Sequence, residues 1–358
     1  QERVRRFLKE RISRRPVDIV LHRAYQGLHG GPGRPGLEAE YEALLKAEPS
    51  NSALLYLRGR LVSGLKAGAA YFERALQADP KNAYAHFALG YGHYSQGRWQ
   101  EALDCIGRAQ KLDEGNDVFE GLDFEIRLGL GQHEALEQEL LDAVTRRNYA
   151  EPGALFRLVK VIGLRGKREE ALRHAEEFKK VRGSKGAAEA ARLTPLLRCQ
   201  SLYAAADFAG LEAEALKGDP KALLTFRIQA LIELGRIDEV AALDAQDPED
   251  PFGLLIRSIA WSLKGDEARA KDLRGKAAAL FKTGDRDLVP AAEMLGGAKA
   301  PALEAVLDLE GPVQRKAILL TALVRAFPDA PAGFRAAARN LNISPNYPRH
   351  LLARALGR

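Results

Sequence analysis

Apolar residues in this chain recur three and four positions apart, the spacing of one helix face, in paired runs of about a dozen residues. Two stretches carry the pattern most plainly: "NSALLYLRGRLVSGLKAGAAYFERALQADPKN" from Asn51 and "NAYAHFALGYGHYSQGRWQEALDCIGRAQKLDEGN" from Asn82. Each opens on Asn, runs through an apolar helix, breaks, resumes as a second helix with Ala near its end, and closes on an Asp-containing turn. Asn51 and Asn82 lie 31 residues apart, and Asn82 and Asn116 lie 34 apart. One hairpin cannot bury its own apolar face, so a repeat of this length predicts hairpins stacked on one another.

Small residues hold fixed places in the pattern: Gly90 in a first helix, Ala102 and Ala109 in the second. Packed helices lie about 8–10 Å apart, and small side chains at the crossing permit the approach. The spacing predicts that Gly90 faces Ala102 within the hairpin and that Ala109 meets the next unit. Weaker copies follow. Asp117–Leu130 pairs with Glu134–Val144, residues 153–181 break at Gly166, residues 186–217 turn at Asp207, and later pairs break at Gly235 and Gly265. Upstream, Val17–Leu28 and Leu37–Ala47 form a pair split by "HGGPGRPG". That loop holds too many breakers for a helix, and no Gly-Lys-Ser/Thr closes it as a phosphate loop. From about Asp285 the period fades into short helices between Pro and Gly, expected to cover the last repeat.

Charge changes the picture at the two ends. Net charge is +6, but residues 1–15 carry seven Lys/Arg against Glu2 and Glu10, and residues 312–358 carry eight against Asp329. The middle is therefore mildly acidic. Basic ends suit an acidic partner surface, or serve as solvated helix faces. "VRRFLKERI" places Val4, Phe7, Leu8 and Ile12 on one stripe, as a cap, a linker helix or a membrane-surface helix. No apolar run is long enough to span a bilayer. The chain is expected to be soluble, cytoplasmic or periplasmic, with the compartment open. Cys105 and Cys199 fall in different units and read as small buried fillers, not a disulfide.

With Ala83 as position one, Leu89 and Gly90 fall at seven and eight, Ala102 at twenty and Ala109 at twenty-seven. In these places the chain resembles the tetratricopeptide repeat family. It departs from the family pattern at His86, His93 and Glu114, where Trp, Tyr and Pro are usual, while Trp99 fills the aromatic place opening the second helix. The resemblance implies an all-α fold, a right-handed α-solenoid of antiparallel helix hairpins with a helical C-terminal cap. The division expected is residues 1–15 as a basic helix or linker, 16–282 as the repeat array, and 283–358 as a short-helix region, degenerate repeats or cap.

The family's groove positions map to Tyr84, Phe87, Tyr91 and Tyr94 in the second of the quoted stretches and to Ala53, Tyr56, Arg60 and Ser63 in the first. In the following unit they map to Asp117, Glu120, Phe124 and Arg127. The candidate partner groove is therefore Tyr56, Arg60, Tyr84, Phe87, Tyr91, Tyr94, Phe124 and Arg127. Aromatics offer large contact area at low entropic cost; the competing reading is that some of these rings pack on each other. A specialised family version reads a chaperone C-terminal carboxylate through Lys and Asn at groove positions. Here Phe87, Tyr91, Tyr56 and Arg60 stand there, so that clamp is absent.

No catalytic constellation emerges. There is no His-Glu-x-x-His, Cys-x-x-Cys, Gly-x-Ser-x-Gly or dinucleotide fingerprint. His86 and His93, seven apart, are expected to pack or hydrogen-bond, not to hold a metal. No cofactor is expected. The sequence thus reads as a non-catalytic scaffold that binds a protein or peptide partner in a concave groove, as subunit or accessory of a larger assembly. The alternative is the C-terminal recognition region of an enzyme whose catalytic domain lies upstream. A nucleic-acid partner is disfavoured because the basic residues sit at the ends and not along the middle.

Overall fold

A computed structural model describes residues 2–12, 17–28, 35–183, 186–243, 250–283, 289–297, 299–327, 329–330, 332–343 and 348–357. Among the described residues the regular structure is 22 α-helices, with no strand. They run α1 (Glu2–Ile12), α2 (Ile19–Gly27), α3 (Pro35–Ala47), α4 (Ser52–Gly59), α5 (Leu65–Ala78), α6 (Ala83–Ser95), α7 (Trp99–Leu112) and α8 (Asp117–Gly129). Next come α9 (His133–Arg146), α10 (Pro152–Leu164), α11 (Arg168–Gly183), α12 (Ala187–Ala204), α13 (Phe208–Ala215), α14 (Leu224–Glu233) and α15 (Ile237–Leu243). Last are α16 (Pro251–Leu263), α17 (Glu267–Thr283), α18 (Val289–Gly296), α19 (Leu303–Leu307), α20 (Val313–Ala326), α21 (Ala332–Leu341) and α22 (Arg349–Ala355). "HGGPGRPG" spans residues 29–36, and residues 29–34 of it lie outside the described residues.

The chain forms two compact units. The first holds residues 1–126, 281–297 and 301–316; the second holds 127–280, 298–300 and 317–358. In each, helices consecutive in the chain pack as neighbours, among them α4 with α5, α5 with α6 and α6 with α7 in the first unit. In the second, α10 meets α11, α11 meets α12, α12 meets α13 and α13 meets α14.

Local chemistry explains where the helices begin and turn. Asp18, Asn51 and Asn82 each cap a helix, their side-chain oxygens accepting from Leu21, Leu54 and Ala85 N–H at 3.1, 3.1 and 3.0 Å. Asn82 also locks its unit to the one before, its amide donating to Ser52 Oγ at 2.8 Å. The turns between paired helices need a left-handed residue, which glycine supplies at Gly97, Gly131, Gly166, Gly235 and Gly265, with φ between 72° and 86°.

Small residues at the crossings do permit close approach, but not in the pairing expected. A Cβ on Gly90 would stand 2.9 Å from Ile106 Cδ1 and 3.2 Å from Cys105 Cβ. Gly90 therefore faces Ile106 and Cys105, one turn along from Ala102. Gly59 holds the same place in α4; a Cβ there would stand 2.6 Å from Phe72 Cε1 and 2.9 Å from Tyr71 Cβ.

Several cations of the two basic ends bind within the fold. In the first unit Arg5 Nη2 donates to Leu28 O at 2.7 Å, and Lys316 Nζ to Ser95 O and Leu307 O at 2.8 and 2.9 Å. In the second, Arg325 donates to Ser262 O, Arg339 to Leu356 O and Arg354 to Glu233 O. Every one of these carbonyls lies at a helix C-terminus, where backbone acceptors lack intrahelical partners and the helix dipole favours a cation. Five of the fifteen terminal Lys and Arg side chains thus bind backbone carbonyls within the fold. The N-terminal stripe also divides: Leu8 and Ile12 are buried, whereas Val4 and Phe7 are about half exposed.

The C-terminal segment covers repeat helices in both units. In the first unit Asp308 accepts from two backbone N–H groups at the start of α5, Leu65 to its carbonyl at 3.2 Å and Lys66 to its carboxylate at 3.0 Å. In the second, α22 packs on α14 and α16.

Candidate functional site

Three first helices, α2, α4 and α6, begin at the capping residues Asp18, Asn51 and Asn82. Counting from those caps, the fifth residues are Arg23, Tyr56 and Phe87, and the ninth are Gly27, Arg60 and Tyr91. All six line one cavity of about 480 Å³ in the first unit. Its remaining wall includes Gln26, Lys66, Phe72, Glu73, Gly92, His93, Arg98 and Glu310. The volume lies in the range of small-ligand and peptide side-chain pockets.

The predicted groove residues divide by burial. Tyr56 (1% exposed), Tyr94 (4%) and Phe124 (5%) belong to the core. Tyr56 contributes its hydroxyl to the site, accepting from Arg23 Nη1 at 2.6 Å. Tyr94 packs edge-on to Trp99 at 5.7 Å. Tyr84, Phe87 and Tyr91 are half-buried. The Tyr84 ring lies 5.3 Å from Phe119, and Phe87 stacks on the same ring at 5.2 Å. The rings pack on each other, and Phe87 and Tyr91 also line the cavity. Arg127 belongs to the second unit and is committed there, donating to both carboxylate oxygens of Glu139 at 2.7 and 2.8 Å.

Arg23 and Arg60 shape the electrostatics of the cavity, which Lys66 and Arg98 also line. Arg23 lies 4.8 Å from the Tyr84 ring centre and 5.6 Å from that of Phe87, cation over π face. Arg60 Nη1 donates to Gln26 Oε1 at 2.7 Å. Burial, with Arg23 adding a like charge, holds the Arg60 guanidinium below its ordinary pKa, though not enough to deprotonate an arginine. Burial pushes the Tyr91 phenol up to about 12, with Glu310 adding to the shift. The site therefore offers uncharged phenols, aromatic faces and fixed cations, which is the chemistry of binding. Among the described residues no group of three His, Cys, Asp or Glu could hold a metal ion. No described helix is long and apolar enough to cross a membrane.

Sequence reasoning missed Arg23, Gln26 and Glu310. Arg23 had a signal: Asp18 caps α2 as Asn51 and Asn82 cap their helices, so the register could have been carried upstream. Glu310 had none, since it arrives from far along the chain.

The repeat unit answers to a known class. The tetratricopeptide repeat model matches residues 83–116, the unit that contributes Phe87 and Tyr91. That stretch is one tetratricopeptide repeat. No curated protein matches it. Among solved structures it is similar to Naa15/Naa10 bound to HypK-THB, at 17% identity and a TM-score of 0.31. That match covers 84% of this chain and 47% of the other, so the chain spans about half of that relative's length. It is also similar to the P58(IPK) TPR domain, at 13% identity and a TM-score of 0.26, covering 96% of this chain and all of that one.

Proposed function

We propose that this protein is a non-catalytic interaction scaffold that binds a segment of a partner protein in the cavity of its first unit. The observation that carries the reading is the convergence of equivalent positions from three successive first helices, Arg23, Tyr56 and Phe87, then Gly27, Arg60 and Tyr91, on one concave wall. Repeated positions sharing a wall give an elongated partner a continuous surface, and half-buried aromatics supply contact area with little side-chain entropy to lose. Within this reading residues 16–282 are the array that presents the site, residues 283–358 its cover, and residues 1–15 a basic leading helix. The partner role in a larger assembly belongs to the same reading.

Gly92 makes the test clean. It lines the cavity, and a Cβ there would meet nothing within 4 Å. Gly92→Phe therefore fills the site without pressing on the core. Full-length wild type and Gly92→Phe are immobilised and exposed to native extract, with captured proteins quantified by mass spectrometry. The expected result is a small set of proteins depleted about tenfold by the variant, a loss of about 1.4 kcal/mol in binding. Equal capture by both proteins would overturn the reading.

A further inference from the structure

Two guanidiniums of the cavity, Arg23 and Arg60, lack the direct carboxylate partner that other half-buried arginines of this chain possess. Arg58 meets Glu42 at 3.1 Å, Arg165 meets Glu137 at 2.9 Å, and Arg198 meets Glu214 at 2.7 Å. Among the described residues, Arg23 and Arg60 form no ion pair with any carboxylate; their hydrogen bonds go to the neutral Tyr56 hydroxyl and Gln26 amide. Each partner comes from the other's helix, Tyr56 from α4 to Arg23 of α2, and Gln26 from α2 to Arg60 of α4, so the two cations stand on one side of the cavity. Two like charges held together in a partly dry site repel each other, and an anion between them would relieve both. Each guanidinium has five N–H donors and bonds Tyr56 or Gln26 through one of them, so planar, charge-assisted bonds remain available to an oxygen anion.

We propose that the partner segment is an acidic, extended peptide. It sets an internal Asp or Glu carboxylate against Arg23 and Arg60 and a neighbouring apolar side chain against Phe87 and Tyr91. The inference rests on the groove reading above and specifies its ligand. The wall carries both signs, with Lys66 and Arg98 lining it as well as two carboxylates. Glu310 and Glu73 line the same cavity, and Glu310 sits on a segment that Asp308 fastens to the start of α5. A polyphosphate backbone would meet those carboxylates, whereas a single carboxylate flanked by apolar residues meets the cations and the rings. Glu310 therefore acts as a fixed negative gatepost, weakening every anionic ligand by a modest amount.

The probe is a library of octapeptides with blocked termini, built from Asp, Asn, phosphoserine, Lys, Leu and Phe, presented to the full chain at low salt. Retained peptides are sequenced, and the consensus and its Asp→Asn isostere are titrated by fluorescence anisotropy. The expected consensus pairs Asp with Leu or Phe, and the isostere binds about tenfold more weakly. Arg60→Gln and Arg23→Gln each weaken the acidic peptide by about the same factor and leave the isostere unchanged. Glu310→Gln, on the rim, tightens the acidic peptide about two- to fivefold, an effect that shrinks with salt. That variant, with the isostere, decides the matter should either arginine variant unfold. A consensus without Asp, a phosphoserine consensus, or an acidic peptide indifferent to Glu310→Gln overturns the acidic-peptide inference. If such binding is still abolished by Gly92→Phe, the groove reading survives. Retention of no peptide, or binding indifferent to Gly92→Phe, overturns both.

Discussion

Replacing Gly59 by alanine isolates the role of small residues at the helix crossing. Alanine in place of glycine ordinarily stabilises a helix interior by up to about 1 kcal/mol, and by less at a terminus. Gly59 is the last residue of α4, so little of that gain is available. Against it stands the new methyl, 2.6 Å from Phe72 Cε1 and 2.9 Å from Tyr71 Cβ. The second contact is anchored to the backbone of α5, and the Phe72 ring is packed on Tyr56 at 5.8 Å, so neither yields freely. Overpacking of this kind costs about 1–3 kcal/mol, and Gly59→Ala is expected to lose about 1–2 kcal/mol net. Gly107 is the control: it lies inside α7, and a Cβ there meets nothing within 4 Å. Gly107→Ala should gain up to about 1 kcal/mol. The two tryptophans fall one in each unit, so in a Trp261→Phe background Trp99 fluorescence reports the first unit alone. Urea unfolding followed at Trp99 should separate the variants by about 1–3 kcal/mol. A Gly59→Ala protein as stable as Gly107→Ala would refute close approach at this crossing.

Asn82→Ala removes a helix cap and the bond to Ser52 together, and should cost about 2–3 kcal/mol in the same assay. Asn116→Ala, which loses exposed bonds to Asp113 and Val118 N–H and a longer, part-buried one to the Tyr84 hydroxyl at 3.2 Å, should cost less, about 1 kcal/mol. Burial pushes Glu233 up to about 7, outweighing Arg354, which is 3.4 Å away but partly solvated. The folded state then holds this proton more tightly than the unfolded chain, so the group's contribution to stability falls as pH rises from about 4.5 to 7. Trp261-monitored melts should show that slope, and Glu233→Gln should flatten it; an unchanged slope refutes the assignment. Burial pushes Lys316 down to about 7, so between there and its ordinary 10.5 the unfolded chain binds the extra proton and stability of the first unit rises with pH. Lys316→Met should remove that rise between pH 7 and 9.5, read at Trp99; persistence of the rise would assign it elsewhere.

What was legible in the sequence was local. Asn82 announces its helix because a capping amide acts within three residues, and Gly166 or Gly235 announces a turn because only the backbone of that residue is involved. Even so, Ala206 adopts φ 58° where the other turns use glycine, and only the following Asp207 marked the place. The site was half legible for the same reason. Phe87 and Tyr91 follow from the register of one repeat, but equal register did not mean equal exposure. Tyr56 occupies the place of Phe87 and is buried, because Arg23 and the rings of Phe72 and Tyr84 close over it. Arg23 was hidden by the Gly- and Pro-rich loop after α2, which masks the helical pattern although Asp18 lies 33 residues before Asn51, within the period. Asp308, Glu310 and Lys316 could not be placed at all, because their partners lie far away in sequence and leave no periodicity to read.

The bond from Lys66 N–H to Asp308 spans 242 residues, and that from Lys316 to Ser95 spans 221. During synthesis α4 to α7 can pair as soon as they emerge, since each hairpin is sequence-local. The strip that walls one side of the cavity is translated much later. While the residues between are being translated the nascent chain therefore carries this cavity open on one side, with the amides that open α5 and the carbonyl that ends α6 hydrated.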